Sequence, residues 1–258
     1  MASRYEDGSA GDVDYGAIGP GYARFRQPDP RFARIIRAKL GDVATVLNVG
    51  AGAGSYEPQD VQITAVEPSA TMRAQRPANL ATAIDAWAEA LPFADASFDA
   101  AMALVTVHQW SDLRAGLSEL RRVTRGPVLV LTSEADALRR FWLSHYAPEV
   151  IAAEAGRMPP LAAITDGLGG QAEIVNLPIP FDCRDGFNEA YYGRPERLLE
   201  PVARLACSSW SFVDDQQIAK FEIALSADLA SGAWDAAWGG LRVAPTYDGS
   251  LRLIVANP

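Results

Sequence analysis

Residues 45–68 read TVLNVGAGAGSYEPQDVQITAVEP. Val46, Leu47 and Val49 form a short apolar run that predicts a buried parallel strand. Gly50, Gly52 and Gly54 follow at once. Glycines at this spacing let a backbone turn sharply and let a ligand approach it closely. A second apolar run, Gln62 to Val66, ends at Glu67. In an open parallel α/β sheet both strand ends fall on the carboxyl edge, where ligands bind. A carboxylate there can accept hydrogen bonds from the vicinal hydroxyls of a ribose. The stretch therefore points to a nucleoside-containing ligand lying across the first two strands. The plainer alternative is a tight strand-to-loop turn with no ligand.

The dinucleotide fingerprint is G-x-G-x-x-G. Gly50 and Gly52 fit it, but the third position is Ser55. The actual G-x-G-x-G suits a ligand with no pyrophosphate to seat on a helix N-terminus. No Gly-Lys-Ser/Thr follows, which excludes a P-loop.

N-V-G-A-G-A-G (48–54) followed by A-V-E-P-S (65–69) resembles motif I and the acidic ribose loop of the class I S-adenosylmethionine-dependent methyltransferases. A-E-A-L-P-F-A-D-A-S-F-D (88–99) resembles the segment leading into the fourth strand of their small-molecule subgroup, which includes the quinone C-methyltransferases and trans-aconitate methyltransferase. The resemblance covers about Tyr15 to Thr132. It implies a Rossmann-like seven-stranded α/β fold, S-adenosyl-L-methionine as cofactor and S-adenosyl-L-homocysteine as product. Asn48, Gly50, Ala51, Gly52, Glu67 and Pro68 are the expected cofactor contacts in the two loops. Met72 is expected against the adenine, with Trp87 and Ala88 beside it, and Leu104 is expected to offer its carbonyl to the cofactor's amino group. Three features depart from the pattern. Asn48 stands where the family usually has Asp, and Trp87 where the subgroup often has an adenine-facing Asp. The link from Gly54 to Gln62 is short and contains Pro58, which predicts a first helix of only one or two turns.

A length of 258 residues suits one domain, or one domain with a cap. A net charge of −9 argues against a nucleic-acid partner. Cys183 and Cys207 fit no metal-ligand spacing, and with two histidines in the chain no metal site is expected. The first residues lack the form of a signal peptide, and no run approaches the ~20 apolar residues of a membrane helix. The expectation is a soluble cytoplasmic protein with a small-molecule substrate.

Residues 1–14 are expected to be a flexible tail. Residues 15–40 read as a lid and a helix. Tyr15, Tyr22 and Arg26, set among glycines, are lid candidates, which the resemblance would turn toward the cofactor, with a surface arm packed on the core as the alternative; Pro30 to Leu40 has Asp29 as N-cap and Gly41 as its stop. Residues 41–180 make the core. Its third to sixth strands are expected at Leu80–Ile84, Phe98–Val105, Pro127–Thr132 and Ala172–Pro178. Residues 181–247, rich in aromatics and helical spacing, read as a substrate cap; residues 248–258 are the last strand, which the family places antiparallel between the fifth and sixth.

The fourth strand ends at Thr106-Val107-His108-Gln109-Trp110. His108 can take a proton near neutral pH and is the candidate general base, with substrate orientation as its alternative. Trp110, Trp142, Tyr191 and Tyr192 are the candidate substrate walls. The alternative for the cap is a set of helices packed on the sheet with no substrate contact. No D/N-P-P-Y/F tetrad follows the fourth strand. The expected activity is methyl transfer to a small apolar or aromatic metabolite. The rivals are a non-methylating enzyme on the same fold, such as a cyclase, and a ligand-binding regulatory protein. A nicotinamide-dependent reductase is weakened by Ser55.

Overall fold

The computed structural model describes residues 26–258. The first described helix, α1 (Pro30–Leu40), starts where Asp29 accepts from the Arg31 amide and ends at Gly41, whose φ is +75°. Its spacing buries Phe32, Ile36 and Leu40 against the sheet.

The central sheet has six strands: β1 (Thr45–Val49), β2 (Gln62–Val66), β3 (Ala100–Leu104), β4 (Val128–Ser133), β5 (Gln171–Asn176) and β8 (Leu251–Asn257). Their order is β2-β1-β3-β4-β8-β5. The first four run parallel, and β8 lies antiparallel between β4 and β5. Successive residues alternate between two cores. Val46, Met102, Leu129 and Leu253 face one side with α1. Leu47, Ala101, Val128 and Ile254 face the other, under α3 (Leu113–Val123) and α7 (Leu161–Leu168). α2 (Ala70–Ala74) follows β2, and α4 (Ala135–Arg140), α5 (Leu143–Tyr146) and α6 (Pro148–Arg157) follow β4.

Two expectations need correction. The strand expected at Leu80–Ile84 is reduced to one parallel bridge between Ile84 and Val66, with Ile84 N donating to Ala65 O at 2.8 Å and Glu67 N to Ile84 O at 3.0 Å. Ala81, Thr82 and Ala83 offer little apolar surface, and Ile84 itself stays 41% exposed. The short helix expected between Gly54 and Gln62 is absent; the link is a series of turns with Gly54 (φ +92°) and Tyr56 (φ +64°) in left-handed backbone.

Residues 181–245 lie between two short strands, β6 (Ile179–Pro180) and β7 (Thr246–Tyr247), which pair antiparallel. Within this segment stand α8 (Pro201–Leu205), α9 (Asp215–Ser231, with an Asp214–Gln217 capping box) and α10 (Ala233–Trp238). Among the described residues no helix is long and apolar enough to cross a membrane.

Candidate active site

The carboxyl ends of β1, β2 and β3 meet at one place. Gly50 and Gly52 turn the chain there with φ of +68° and +51°. Glu67, at the end of β2, is buried, and its two oxygens face different amides. Oε2 accepts from Gly52 N at 2.8 Å and Oε1 from Ser69 N at 2.9 Å. Burial pushes its carboxyl pKa upward, and the two amides with Arg73 and Arg76 pull against that. Each oxygen keeps further lone-pair capacity.

β3 ends in an unusual conformation. Val105 has φ +55°, a genuine outlier for a β-branched residue, held by its N–H donating to Leu131 O at 2.8 Å. The bend delivers Thr106 onto Gly50 and starts a single 3-10 turn, Val107–Gln109.

A cavity of about 230 Å³ lies between these ends. Arg26, Asn48, Gly50, Ala51, Gly52, Glu67, Met72 and Leu104 are among its walls. A slot of about 30 Å³ adjoins it, sharing Gly50, Glu67, Thr106 and Gln109 and adding Pro68, Trp87, Ala88 and Trp110. A third hollow, about 60 Å³, shares Arg26, Tyr56, Val105, Gln109 and Asp185 with the main cavity and adds His108, Glu154 and Arg157. Tyr15 and Tyr22 lie outside the described residues.

The third hollow is rich in charge. Arg26 Nε donates to Asp185 Oδ1 at 2.5 Å, and Tyr56 Oη donates to Asp185 Oδ2 at 2.9 Å while accepting from Asp29 N at 3.3 Å. Arg157 Nη1 donates to Ser208 Oγ at 3.1 Å, with the guanidinium 5.0 Å from the Phe212 ring. Glu154 accepts from Asn188 Nδ2 at 2.7 Å and Ser209 Oγ at 3.1 Å, and burial pushes its pKa up. His108 lines this wall and is half-buried. Desolvation, then the positive charges of Arg157 and Arg26, lower its pKa to about 3. It is therefore neutral at physiological pH.

The three aromatic wall candidates beyond Trp110 are placed elsewhere. Trp142 Nε1 donates to Tyr192 O at 2.9 Å, and the indole packs edge-on to Trp234 at 5.6 Å. Tyr192 donates to Ala244 O at 2.7 Å and stacks on Tyr247 at 5.2 Å. Tyr191 is buried beneath the Arg194 guanidinium. None of the three lines the cavity, its slot or the charged hollow. The Trp142 and Tyr192 polar tips join residues 181–247 to the core, and Trp142 also borders a separate hollow with Arg140, Trp238 and Tyr247. The sequence reading missed Tyr56, Gln109, Glu154, Arg157 and Asp185. Gln109 and Tyr56 stand close to recognised motifs, but the other three carry no local signal. Among the described residues no group of three His, Cys, Asp or Glu side chains could hold a metal ion.

Residues 47–130 match the methyltransferase-domain family. The malonyl-[acyl-carrier protein] O-methyltransferase of Erwinia billingiae (strain Eb661) is 34% identical over 171 residues, which is 59% of this chain and 67% of that protein. The enzyme of that name from Pseudescherichia vulneris is 34% identical over 119 residues, 43% of this chain, and the match spans only 47% of the relative's length. Among solved structures, a chain from Anabaena variabilis ATCC 29413, described as a methyltransferase from an antibiotic biosynthesis pathway, superposes with a TM-score of 0.83 at 28% identity and covers 91% of this chain and 99% of its own. With the Rossmann-like sheet and the ligand-sized cavity at its carboxyl edge, these similarities place the chain in a family: it belongs to the class I S-adenosylmethionine-dependent methyltransferases.

Proposed function

We propose that the protein transfers a methyl group to an ionised oxygen, a carboxylate, of a small acid or of an acid carried on a larger group. The observation that carries this reading is the hollow beside the cofactor cavity, where Arg157 stands on the same wall as His108, whose pKa is lowered by burial and by Arg157 and Arg26, while Arg26 itself is paired with Asp185. The name of the two relatives supports it, since each is an O-methyltransferase of a malonyl group.

The residues present fit S-adenosylmethionine in the main cavity and slot. A side chain on Gly50 would collide with Thr106, so bare backbone faces the cavity there. Glu67 would accept from ribose hydroxyls with its remaining lone pairs. Trp87, Ala88 and Pro68 give the slot an apolar side suited to the adenine. Leu104 and Asn48 also line the main cavity, where the amino-acid portion would lie. When bound, S-adenosylmethionine supplies a methyl carbon on a sulfonium sulfur, open to in-line displacement by an acceptor lone pair.

A carboxylate arrives already ionised, so nothing in the chain has to remove a proton from it. A histidine with a pKa of about 3 is poorly matched to general-base work near neutral pH. His108 would instead orient the acceptor by a hydrogen bond. Arg157 adds a planar guanidinium to the same wall, a group whose geometry suits carboxylates. The apolar or aromatic acceptor expected from the sequence has less support, because Trp142, Tyr191 and Tyr192 stand away from the hollow.

The test is methyl transfer from labelled S-adenosylmethionine to a panel of mono- and dicarboxylic acids and their thioesters, with phenols and amines beside them. Base-labile methyl esters with stoichiometric S-adenosylhomocysteine are expected. Transfer to phenols or amines alone would overturn the carboxylate reading. Conversion of a substrate without S-adenosylhomocysteine would favour the cyclase-like rival.

A further inference from the structure

Resting on the reading that the Gly50–Gly54 turn holds the cofactor, we infer that a buried triad of Asn48, Glu57 and Arg76 is the positioning device for that turn, in place of the missing helix between β1 and β2.

The turn has little regular structure to hold it. Residues 50–61 contain no helix, and Gly50, Gly52, Gly54 and Tyr56 all have positive φ. Behind the turn, Arg76 Nη2 donates to both oxygens of Glu57 at 2.9 Å, and Asn48 Nδ2 donates to Glu57 Oε1 at 2.9 Å. Arg76 Nη1 reaches Gly52 O at 3.3 Å, and Nε donates to Ala81 O at 3.0 Å. The side chains of Arg76 and Glu57 are 4% and 1% exposed. Gly52 is thus gripped from both sides: Arg76 takes its carbonyl and Glu67 takes its N–H. Any drift of Gly52 carries Glu67 Oε2 with it. Asn48 and Gly52 line the cavity, whereas Arg76 is not among its walls. Arg76 therefore acts through the turn.

The triad also accounts for Asn48 in a position where the resemblance leads one to expect Asp. A carboxylate there would face Glu57 across a hydrogen-bond distance in a buried site, where Arg76 is already paired with Glu57. Two such carboxylates cannot both ionise cheaply. The amide supplies the donor that Glu57 needs.

Replacing a buried ion pair with apolar side chains of similar size is often neutral for stability. A double variant, Arg76→Met with Glu57→Leu, therefore separates positioning from folding. Three readouts are taken on the full chain: calorimetric titration with S-adenosylhomocysteine, the melting temperature, and amide hydrogen exchange. The double variant is expected to melt within a few degrees of wild type yet bind at least tenfold more weakly. Exchange at Gly52 should rise at least tenfold while Val130 in β4 stays protected. Wild-type affinity and wild-type exchange at Gly52 in the folded double variant would overturn the inference. Should that variant not fold, Glu57→Gln decides. It keeps the side-chain volume and one acceptor, and about fivefold weaker binding is expected, with unchanged affinity as the overturning result. Wild-type protein that fails to bind S-adenosylhomocysteine would instead sink the cofactor assignment, and this inference with it.

Discussion

Thr106 occupies the space that a side chain on Gly50 would need: a β-carbon built on Gly50 stands 2.1 Å from Thr106 Oγ1 and 2.7 Å from Thr106 Cβ. The two residues close the ends of β1 and β3 against each other, and the contact admits only bare backbone. Gly50→Ala meets this collision and also the strain of φ +68°. The conformation costs about 1–2 kcal/mol and the overpacking about 1–3 kcal/mol. A lower melting temperature and at least a hundredfold loss of S-adenosylhomocysteine affinity are expected. Adding Thr106→Gly should restore part of the affinity, because it removes the collision and leaves the dihedral strain.

Gly116 tests the other end of the site. It lies inside α3, where alanine would ordinarily stabilise the helix by roughly 0.5–1 kcal/mol. A β-carbon at Gly116, however, would stand 2.4 Å from Trp110 Cε3, on a rigid ring that lines the slot. Overpacking costs about 1–3 kcal/mol and outweighs the helical gain. Gly116→Ala should lower the melting temperature and push Trp110 toward the slot. A several-fold weaker affinity for S-adenosylhomocysteine, with Trp110 displaced in a crystal structure, would be the observed result; a more stable protein with unchanged affinity would contradict it.

Glu67→Ala removes the acceptor for Gly52 N and Ser69 N, together with the proposed ribose contacts. Loss of those hydrogen bonds should weaken cofactor binding by about 1–3 kcal/mol. Titration of the variant with S-adenosylhomocysteine checks this, and wild-type affinity would remove Glu67 from the site.

The sheet was legible because its strands are short apolar runs whose alternate residues serve two cores, as Val46 with Leu47 and Leu129 with Val130 do. Gly50, Gly52 and Glu67 were legible because strand ends in such a sheet fall on one edge. The strand expected at Leu80–Ile84 followed from its composition, but only Ile84 pairs with β2, as a single bridge to Val66. The aromatics of residues 181–247 could not be assigned from the sequence, since a ring buried in a core and a ring lining a cavity have the same spacing. Tyr56, Arg26 and Asp185 meet across 129 and 159 positions, and no local pattern encodes such a contact.

His108 gives a prediction whose sign follows from its surroundings. Its folded pKa is about 3, lowered by desolvation and by Arg157 and Arg26, against about 6.5 in an unfolded chain. Between those values the unfolded state holds the extra proton. This group's effect is therefore that stability is unimpaired above about pH 6.5 and declines as pH falls toward about 3. His108→Gln should flatten that part of the stability–pH curve. For catalysis, a histidine base of ordinary pKa would make the rate fall as pH drops through about 6.5. With a carboxylate acceptor and a neutral His108 no inflection is expected there, and His108→Gln should raise the KM for the acceptor more than it lowers kcat. A rate that titrates near pH 6.5 in wild type, and loses that dependence in His108→Gln, would return the histidine to the role of general base and point to an acceptor that must lose a proton.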